Sequence, residues 1–312
     1  MNQESVAVVF PGQGTQRHGM GKDFFEAVDI SRRTFEEASD ALGWDVADLC
    51  FGNDEKIHLT EYAQPCILAT EIAMFRGIQS LYEFSPRYFG GHSLGEYTAL
   101  VAANAMPFAD ALNTVHTRGQ LMQQANPPGV GAMAAVIGQN LDADLIKNSI
   151  QGLPVDVANI NSADQVVISG QSDAMETVEK RLQAATGNDA SFRFVPLNVS
   201  APFHSRFMTG IKETFRDVLH KVSERINPEK ASLVTSNFTG GFHGGNRLGI
   251  IEGLVAQISN SVRWRENMQV LADKATIIYE IGPNRPLRNF FTSMGVTCQS
   301  VTSLSAAARI FA

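Results

Sequence analysis

An α/β fold is predicted, with a largely parallel sheet in a large subdomain and a small ferredoxin-like subdomain inserted into it. Three observations predict it. Strand-like apolar runs alternate with amphipathic helix patterns along the 312 residues. The segment Gly91-His92-Ser93-Leu94-Gly95 joins a short apolar strand pattern to an alanine-rich helix pattern. Beyond Asn126-Pro127-Pro128-Gly129, the clearest break in the chain, the elements run β-α-β-β-α-β as far as Val199. The expected division is 1–128 and 200–312 for the large subdomain and 129–199 for the insertion. At roughly seventy residues the insertion falls within the usual range for a folding unit.

The first strand-like run, Val6–Phe10, breaks at Pro11-Gly12-Gln13-Gly14. Helix patterns follow near Met20–Ala27, Ile30–Ala41 and Tyr62–Leu81, then the serine segment, then a helix from about Phe108 to Gln124. In the insertion, Ala132–Ile137 is strand-like, Asp142–Ile150 helical, and Val155–Ala158 and Gln165–Ser169 strand-like. Ala174–Ala185 is again helical and Phe192–Val199 strand-like. Longer elements then resume: a helix Ser205–Arg225, a strand Ser232–Ser236, a helix Ile250–Ile258 and a strand Thr276–Ile281 ahead of Gly282-Pro283. There is no internal repeat and no low-complexity tract.

Composition narrows the function classes. Hydrophobic residues at 44% and charged residues at 18% suit a globular protein with a substantial core. A formal net charge of −7 argues against a nucleic-acid binder, so an anionic partner must be met by a local cluster of Lys and Arg. Cys50, Cys66 and Cys298 are odd in number and lack metal-site spacing, as in reduced thiols. The first strand begins almost at once and no apolar run is long enough to cross a bilayer, so a cytoplasmic protein without a signal peptide is expected. Gly12-Gln13-Gly14 lacks the third glycine of a dinucleotide fingerprint, and no H-E-x-x-H or cysteine cage is present. No cofactor or metal is expected.

Ser93 has a glycine two residues away on each side. A serine hydroxyl is a weak nucleophile unless a sharp turn exposes it, and glycines so placed let strand and helix close around such a turn. The helix pattern from Leu94 would aim free N–H groups and a positive dipole end at the hydroxyl. The chemistry this suggests is acyl transfer. Of seven histidines, His204 has a distinctive setting, in Ser200-Ala201-Pro202-Phe203-His204-Ser205 between a strand and a helix. Spacing leaves open whether it is the base or an ordinary loop histidine. His92 adjoins Ser93, and adjacent side chains diverge at a tight turn, so it is poorly placed to take the proton.

Arg118 falls on the apolar stripe Phe108, Ala111, Leu112, Val115, Gly119, Met122. A buried guanidinium needs an anion, so Arg118 either forks a substrate carboxylate or reaches round the stripe's edge to water. The backbone N–H groups of Gln13 and Leu94 are candidate oxyanion donors, with a plain glycine-rich turn as the other reading of the Gln13 loop.

These residues sit in a series of motifs that resembles a known family. The series runs through Val9-Phe10-Pro11-Gly12-Gln13-Gly14-Thr15-Gln16, Tyr62-Ala63-Gln64-Pro65, Gly91-His92-Ser93-Leu94-Gly95-Glu96-Tyr97 and Arg118-Gly119-Gln120-Leu121-Met122. It continues through Gly131-Ala132-Met133-Ala134-Ala135, Asn161-Ser162, Phe203-His204-Ser205, Val262-Arg263-Trp264 and Glu280-Ile281-Gly282-Pro283. In this order, over nearly the whole chain, it is similar to the malonyl-CoA:acyl carrier protein transacylases of fatty acid synthesis and the related acyltransferases of polyketide synthases. The phrases Val155-Asp156-Val157-Ala158-Asn159 and Asn198 to Met208 look most like the free-standing enzymes that serve polyketide synthases in trans.

The resemblance implies a hydrolase-like large subdomain, Ser93 as nucleophile, His204 as base and Gln257 as the residue that orients it. It implies Arg118 as clamp on the malonyl carboxylate, Gln13 and Leu94 as oxyanion donors, and Gln64, His92 and Met122 in the substrate site. Phe203 matches the bulky position associated with malonyl preference. The implied partners are a coenzyme A thioester and an acyl carrier protein, the latter met by a basic face for which Arg206, Arg285 and Arg288 are candidates. The chain departs from the family at Asn284-Arg285-Pro286-Leu287, where a glycine-rich segment is usual. An acyl hydrolase of the same fold, which clears carrier proteins, is the alternative.

Overall fold

A computed structural model describes residues 5–127, 129–139, 141–187, 189–199 and 201–312. Pro128 and Ser200, beside the two expected subdomain boundaries, lie outside the described residues. Two four-stranded sheets organise the chain. The first comprises β1 (Val6–Phe10) and β2 (Tyr88–Gly91), with β7 (Ile277–Ile281) and β8 (Cys298–Val301) from the C-terminal region, all parallel in the order β2-β1-β7-β8. β1 is apolar on both faces because both are covered. Val8 and Phe10 enter the main core with residues of the Thr60–Leu81 and Gly95–Ala102 helices, while Ala7 and Val9 pack opposite with Trp264, Leu271, Leu287 and Phe291.

The second sheet comprises β3 (Gly131–Ile137), β4 (Val155–Ile160), β5 (Gln165–Gln171) and β6 (Arg193–Pro196), antiparallel in the order β4-β5-β3-β6. With the helices Ala143–Ile150 and Met175–Thr186 in the connections, this is the ferredoxin-like arrangement. Alternation along β3 explains how the unit docks. Ala134 and Val136 join Ile146, Ile168, Val178 and Leu182 in a local core under the two helices. Met133 and Ala135 face the other way and pack with the main core.

Several elements differ from the sequence expectation. The stretch Ser205–Arg225 is not one helix: a 3-10 segment Arg206–Ile211 precedes the α-helix Lys212–Val222, and a second 3-10 turn ends it. Ser232–Ser236 is not a strand, because the Pro228–Ala231 helix, capped by Asn227, delivers the chain in a turn. Only single bridges, Phe89 to Val234 and Thr235 to Phe242, remain. The last insertion strand stops at Pro196, short of Val199; β6 is an edge strand and tolerates the proline there, and one further bond, Leu197 N–H to the Met133 carbonyl, closes the pairing. The helices Val46–Phe51, Trp264–Ala272, Pro286–Ser293 and Leu304–Phe311 and the strand β8 were not expected.

Candidate active site

β1 and β2 end side by side, and the loops after them meet. Ser93 occupies the turn between β2 and the Gly95–Ala102 helix with φ 53°, a left-handed conformation that serine rarely adopts. The flanking glycines are required by close approach. A Cβ on Gly91 would stand 1.9 Å from the Gly95 carbonyl oxygen, and one on Gly95 would stand 2.1 Å from that of Phe10. Asn237 secures the strained turn from outside: its Oδ1 accepts the Ser93 N–H at 2.6 Å, and its Nδ2 donates to the Gly91 carbonyl at 2.8 Å.

His204 also has a positive φ, 55°, and its Nε2 lies 2.7 Å from Ser93 Oγ. Its Nδ1 lies 2.8 Å from the backbone carbonyl of Gln257. A carbonyl only accepts, so the ring proton resides on Nδ1 and Nε2 presents a lone pair to the serine. Burial and the neighbouring Arg118 cation push the His204 pKa down to about 3, so the imidazole is neutral.

Arg118 is 1% exposed. Its Nη1 donates to Gln64 Oε1 at 2.8 Å, and its Nη2 donates to Gln257 Oε1 at 2.9 Å and to Ser93 Oγ at 3.1 Å. The guanidinium carbon stands 5.5 Å from the centroid of the Tyr97 ring. All three direct acceptors are neutral, and Nε has no partner. This is a buried cation with donors aimed at the reacting hydroxyl, a geometry suited to an anionic group beside Ser93.

A cleft of about 570 Å³ opens over these groups, lined by Gln13, Gln64, His92, Met122, Phe203 and the face of β3 and β5 that carries Met133, Ala135 and Val167, among others. Gln64 Nε2 contacts Met122 Sδ at 3.8 Å and Gln13 Oε1 at 3.4 Å, while Gln13 Nε2 donates to Thr60 Oγ1 at 3.1 Å. Among the described residues, the backbone N–H groups of Gln13 and Leu94 have no acceptor in the protein, which leaves both for a ligand oxygen. His92 is held away from Ser93: its Nε2 pairs with Asn161 Oδ1 at 2.8 Å, and burial lowers its pKa.

Arg206 is committed to Asp156 by a multidentate ion pair, whereas Arg285 and Arg288 are exposed beside Pro286, Leu287 and Phe290 at the cleft. The three cysteines are buried and free. Among the described residues, the one group that could meet on a metal ion is His18, Glu55 and His58, and it shares no hydrogen bond with the Ser93–His204 pair. No helix among them is long and apolar enough to cross a membrane. Sequence reasoning assigned no role to Asn237, Asn161 or Glu96. Glu96 and Asn161 lay inside quoted motifs, whereas Asn237 acts from a distant loop without a local signature.

Residues 7–279 match the family model described as the acyl transferase domain. The chain is 38% identical over 291 residues to the malonyl CoA-acyl carrier protein transacylase of Bacillus subtilis (strain 168), covering 90% of this chain and 88% of that protein. The solved structure of a malonyl CoA-acyl carrier protein transacylase from Coxiella burnetii superimposes with a TM-score of 0.90 at 32% identity, covering 99% of this chain and 97% of that one. A malonyl-transacylase solved in complex with a type II polyketide synthase acyl-carrier protein superimposes with a TM-score of 0.88 at 33% identity, covering 98% of this chain and 99% of that one.

Proposed function

This chain belongs to the acyl transferase domain family, and we propose that it transfers a malonyl group from malonyl-CoA to the phosphopantetheine thiol of an acyl carrier protein, in fatty acid or polyketide synthesis. The group is carried as an ester on Ser93. His204 Nε2 takes the serine proton as Oγ attacks the thioester carbonyl, and the oxyanion is met by the N–H groups of Gln13 and Leu94. Collapse breaks the C–S bond, and the proton on Nε2 goes to the departing coenzyme A sulfur. The carrier thiol then gives its proton to Nε2 and attacks the ester, and Ser93 recovers its hydrogen as the C–O bond breaks. Gln257 holds the imidazole through its backbone carbonyl, a variant of triad logic without a carboxylate. Arg118 forks the free malonyl carboxylate, with Gln64, Met122, His92 and Phe203 forming the walls around the acyl group. So written, the reaction needs no metal or cofactor, and we place it in the cytoplasm.

The observation that supports this reading most is the fully buried Arg118, whose Nη2 stands 3.1 Å from Ser93 Oγ with neutral acceptors only. A neutral acetyl group would leave the cation unpaired. It is tested by Arg118→Ala with malonyl-CoA and acetyl-CoA in parallel. The expected result is a loss of roughly a hundredfold or more in kcat/KM for malonyl with little change for acetyl. Equal losses for both would refute the clamp.

A further inference from the structure

The transfer steps make no use of Glu96, yet this carboxylate is fully buried three residues beyond the nucleophile. Its Oε2 accepts from Gln257 Nε2 at 2.6 Å and from the Asn237 N–H at 3.1 Å. Its Oε1 stands 2.9 Å from Nε2 of His243, another buried side chain. The same Gln257 amide accepts from Arg118 through Oε1, so one side chain bridges the buried cation and the buried anion. Its dipole is oriented to suit both, N–H toward the carboxylate and C=O toward the guanidinium. Among the described residues, no carboxylate reaches Arg118 at ion-pair distance, and an isolated buried guanidinium is strongly unfavourable. The compensating acid is one amide away.

We propose that Glu96 is the resting counter-ion of Arg118, coupled through the Gln257 side chain, and that it sets how strongly the site favours anionic over neutral acyl groups. With the cleft empty, the Glu96 carboxylate offsets the Arg118 charge across the Gln257 amide, with His243 as its other polar neighbour. When a substrate carboxylate takes the guanidinium's donors, Glu96 becomes a nearby like charge that moderates the grip. The malonyl ester is thus held firmly enough to be selected and loosely enough to be passed to the carrier thiol. Glu96 touches neither substrate nor reacting atoms and is a positioning residue.

The test combines Glu96→Gln, Glu96→Asp, Arg118→Met and the double variant Glu96→Gln/Arg118→Met, each measured by thermal unfolding. Each charge-removing single variant leaves the other buried charge without its offset across Gln257 and lowers the melting temperature. The double variant removes both charges and recovers much of the loss. If Glu96→Gln alone is too unstable to purify, the double variant still folds. A double variant no more stable than the poorer single overturns the proposal. The second readout is acyl preference and rests on the malonyl-transfer reading. Glu96→Gln raises the malonyl-to-acetyl ratio of kcat/KM by about fivefold or more, because a like charge is gone. Glu96→Asp keeps the charge and stays within about twofold of the parent ratio. Equal losses for both substrates in Glu96→Gln would mark a merely structural role and also overturn it. If the unmodified enzyme transferred neither acyl group, the functional reading would fail, while the unfolding cycle would still decide the counter-ion claim.

Discussion

The proton on Ser93 Oγ has an acceptor at 2.7 Å, Nε2 of His204, and the Gln257 carbonyl at 2.8 Å fixes which ring nitrogen is free to receive it. Burial and Arg118 hold this imidazole neutral far below its ordinary value of 6.5. The acylation rate should therefore show no acid limb near that value. We expect kcat/KM for malonyl-CoA to stay flat from about pH 8 down to about pH 5, measured in stopped buffers of constant ionic strength. A fall centred between about pH 6 and 7 would mean that a different, ordinary imidazole is the base.

At this scale the sequence was informative where chemistry forces residue type. Ser93 sits between obligatory glycines, and Arg118 stands out on an apolar stripe. The setting of His204 between a strand and a helix made it the candidate base, but spacing left the loop-histidine reading open, and the family resemblance chose between them. Gln257 was named by resemblance too, but two of its functions come from one residue by different routes. The backbone carbonyl holds His204, and the side chain joins Arg118 to Glu96. No residue-type argument separates those.

Among the elements, the elbow is the one whose geometry the sequence dictates most directly. Because a Cβ on Gly95 would lie 2.1 Å from the Phe10 oxygen, backbone against backbone, the helix would have to move away from β1. Gly95→Ala should cost about 3 kcal/mol or more of stability and abolish acylation, with the first seen by denaturant unfolding. Retained stability with normal acylation would contradict the tight-turn account. The β-α-β-β-α-β order of the insertion was legible because short apolar runs bounded by turn residues alternate with two amphipathic helices. The C-terminal elements were not. β8 is a four-residue strand, Cys-Gln-Ser-Val, too short and mixed to show a period. Ser232–Ser236 carried β-forming residues but met only single bridges, since strand pairing depends on neighbours that a local pattern does not contain.

Across the whole molecule, the loops at the end of the parallel sheet meet one face of the antiparallel sheet at the cleft, and the parallel sheet brings a buried acid beneath one wall of it. Glu280 accepts the N–H groups of Leu287 and Arg288, capping the Pro286–Ser293 helix that lines the mouth. Burial nevertheless raises its pKa from 4.5 to about 7. A raised carboxyl contributes stability that is fully present below its unfolded value of 4.5 and is lost as pH rises through about 7. His204, depressed from 6.5 to about 3, works in the opposite sense: its contribution is present above 6.5 and lost as pH falls toward 3. The two slopes oppose each other between 4.5 and 6.5, and the Glu280 slope acts alone just above that window. Glu280→Gln should lower stability at about pH 5 through the imperfect cap, and the deficit should shrink as pH rises to about 8. A melting-temperature difference that does not change with pH would contradict the assignment.

The central claim is that Ser93 carries the acyl group, and the most direct measurement is intact mass after mixing the protein with malonyl-CoA and quenching in acid. The account predicts a single added malonyl mass in the unmodified protein, discharged by an acyl carrier protein bearing its phosphopantetheine thiol, and no adduct in Ser93→Ala. An undiminished adduct on Ser93→Ala would place the nucleophile elsewhere and contradict the account.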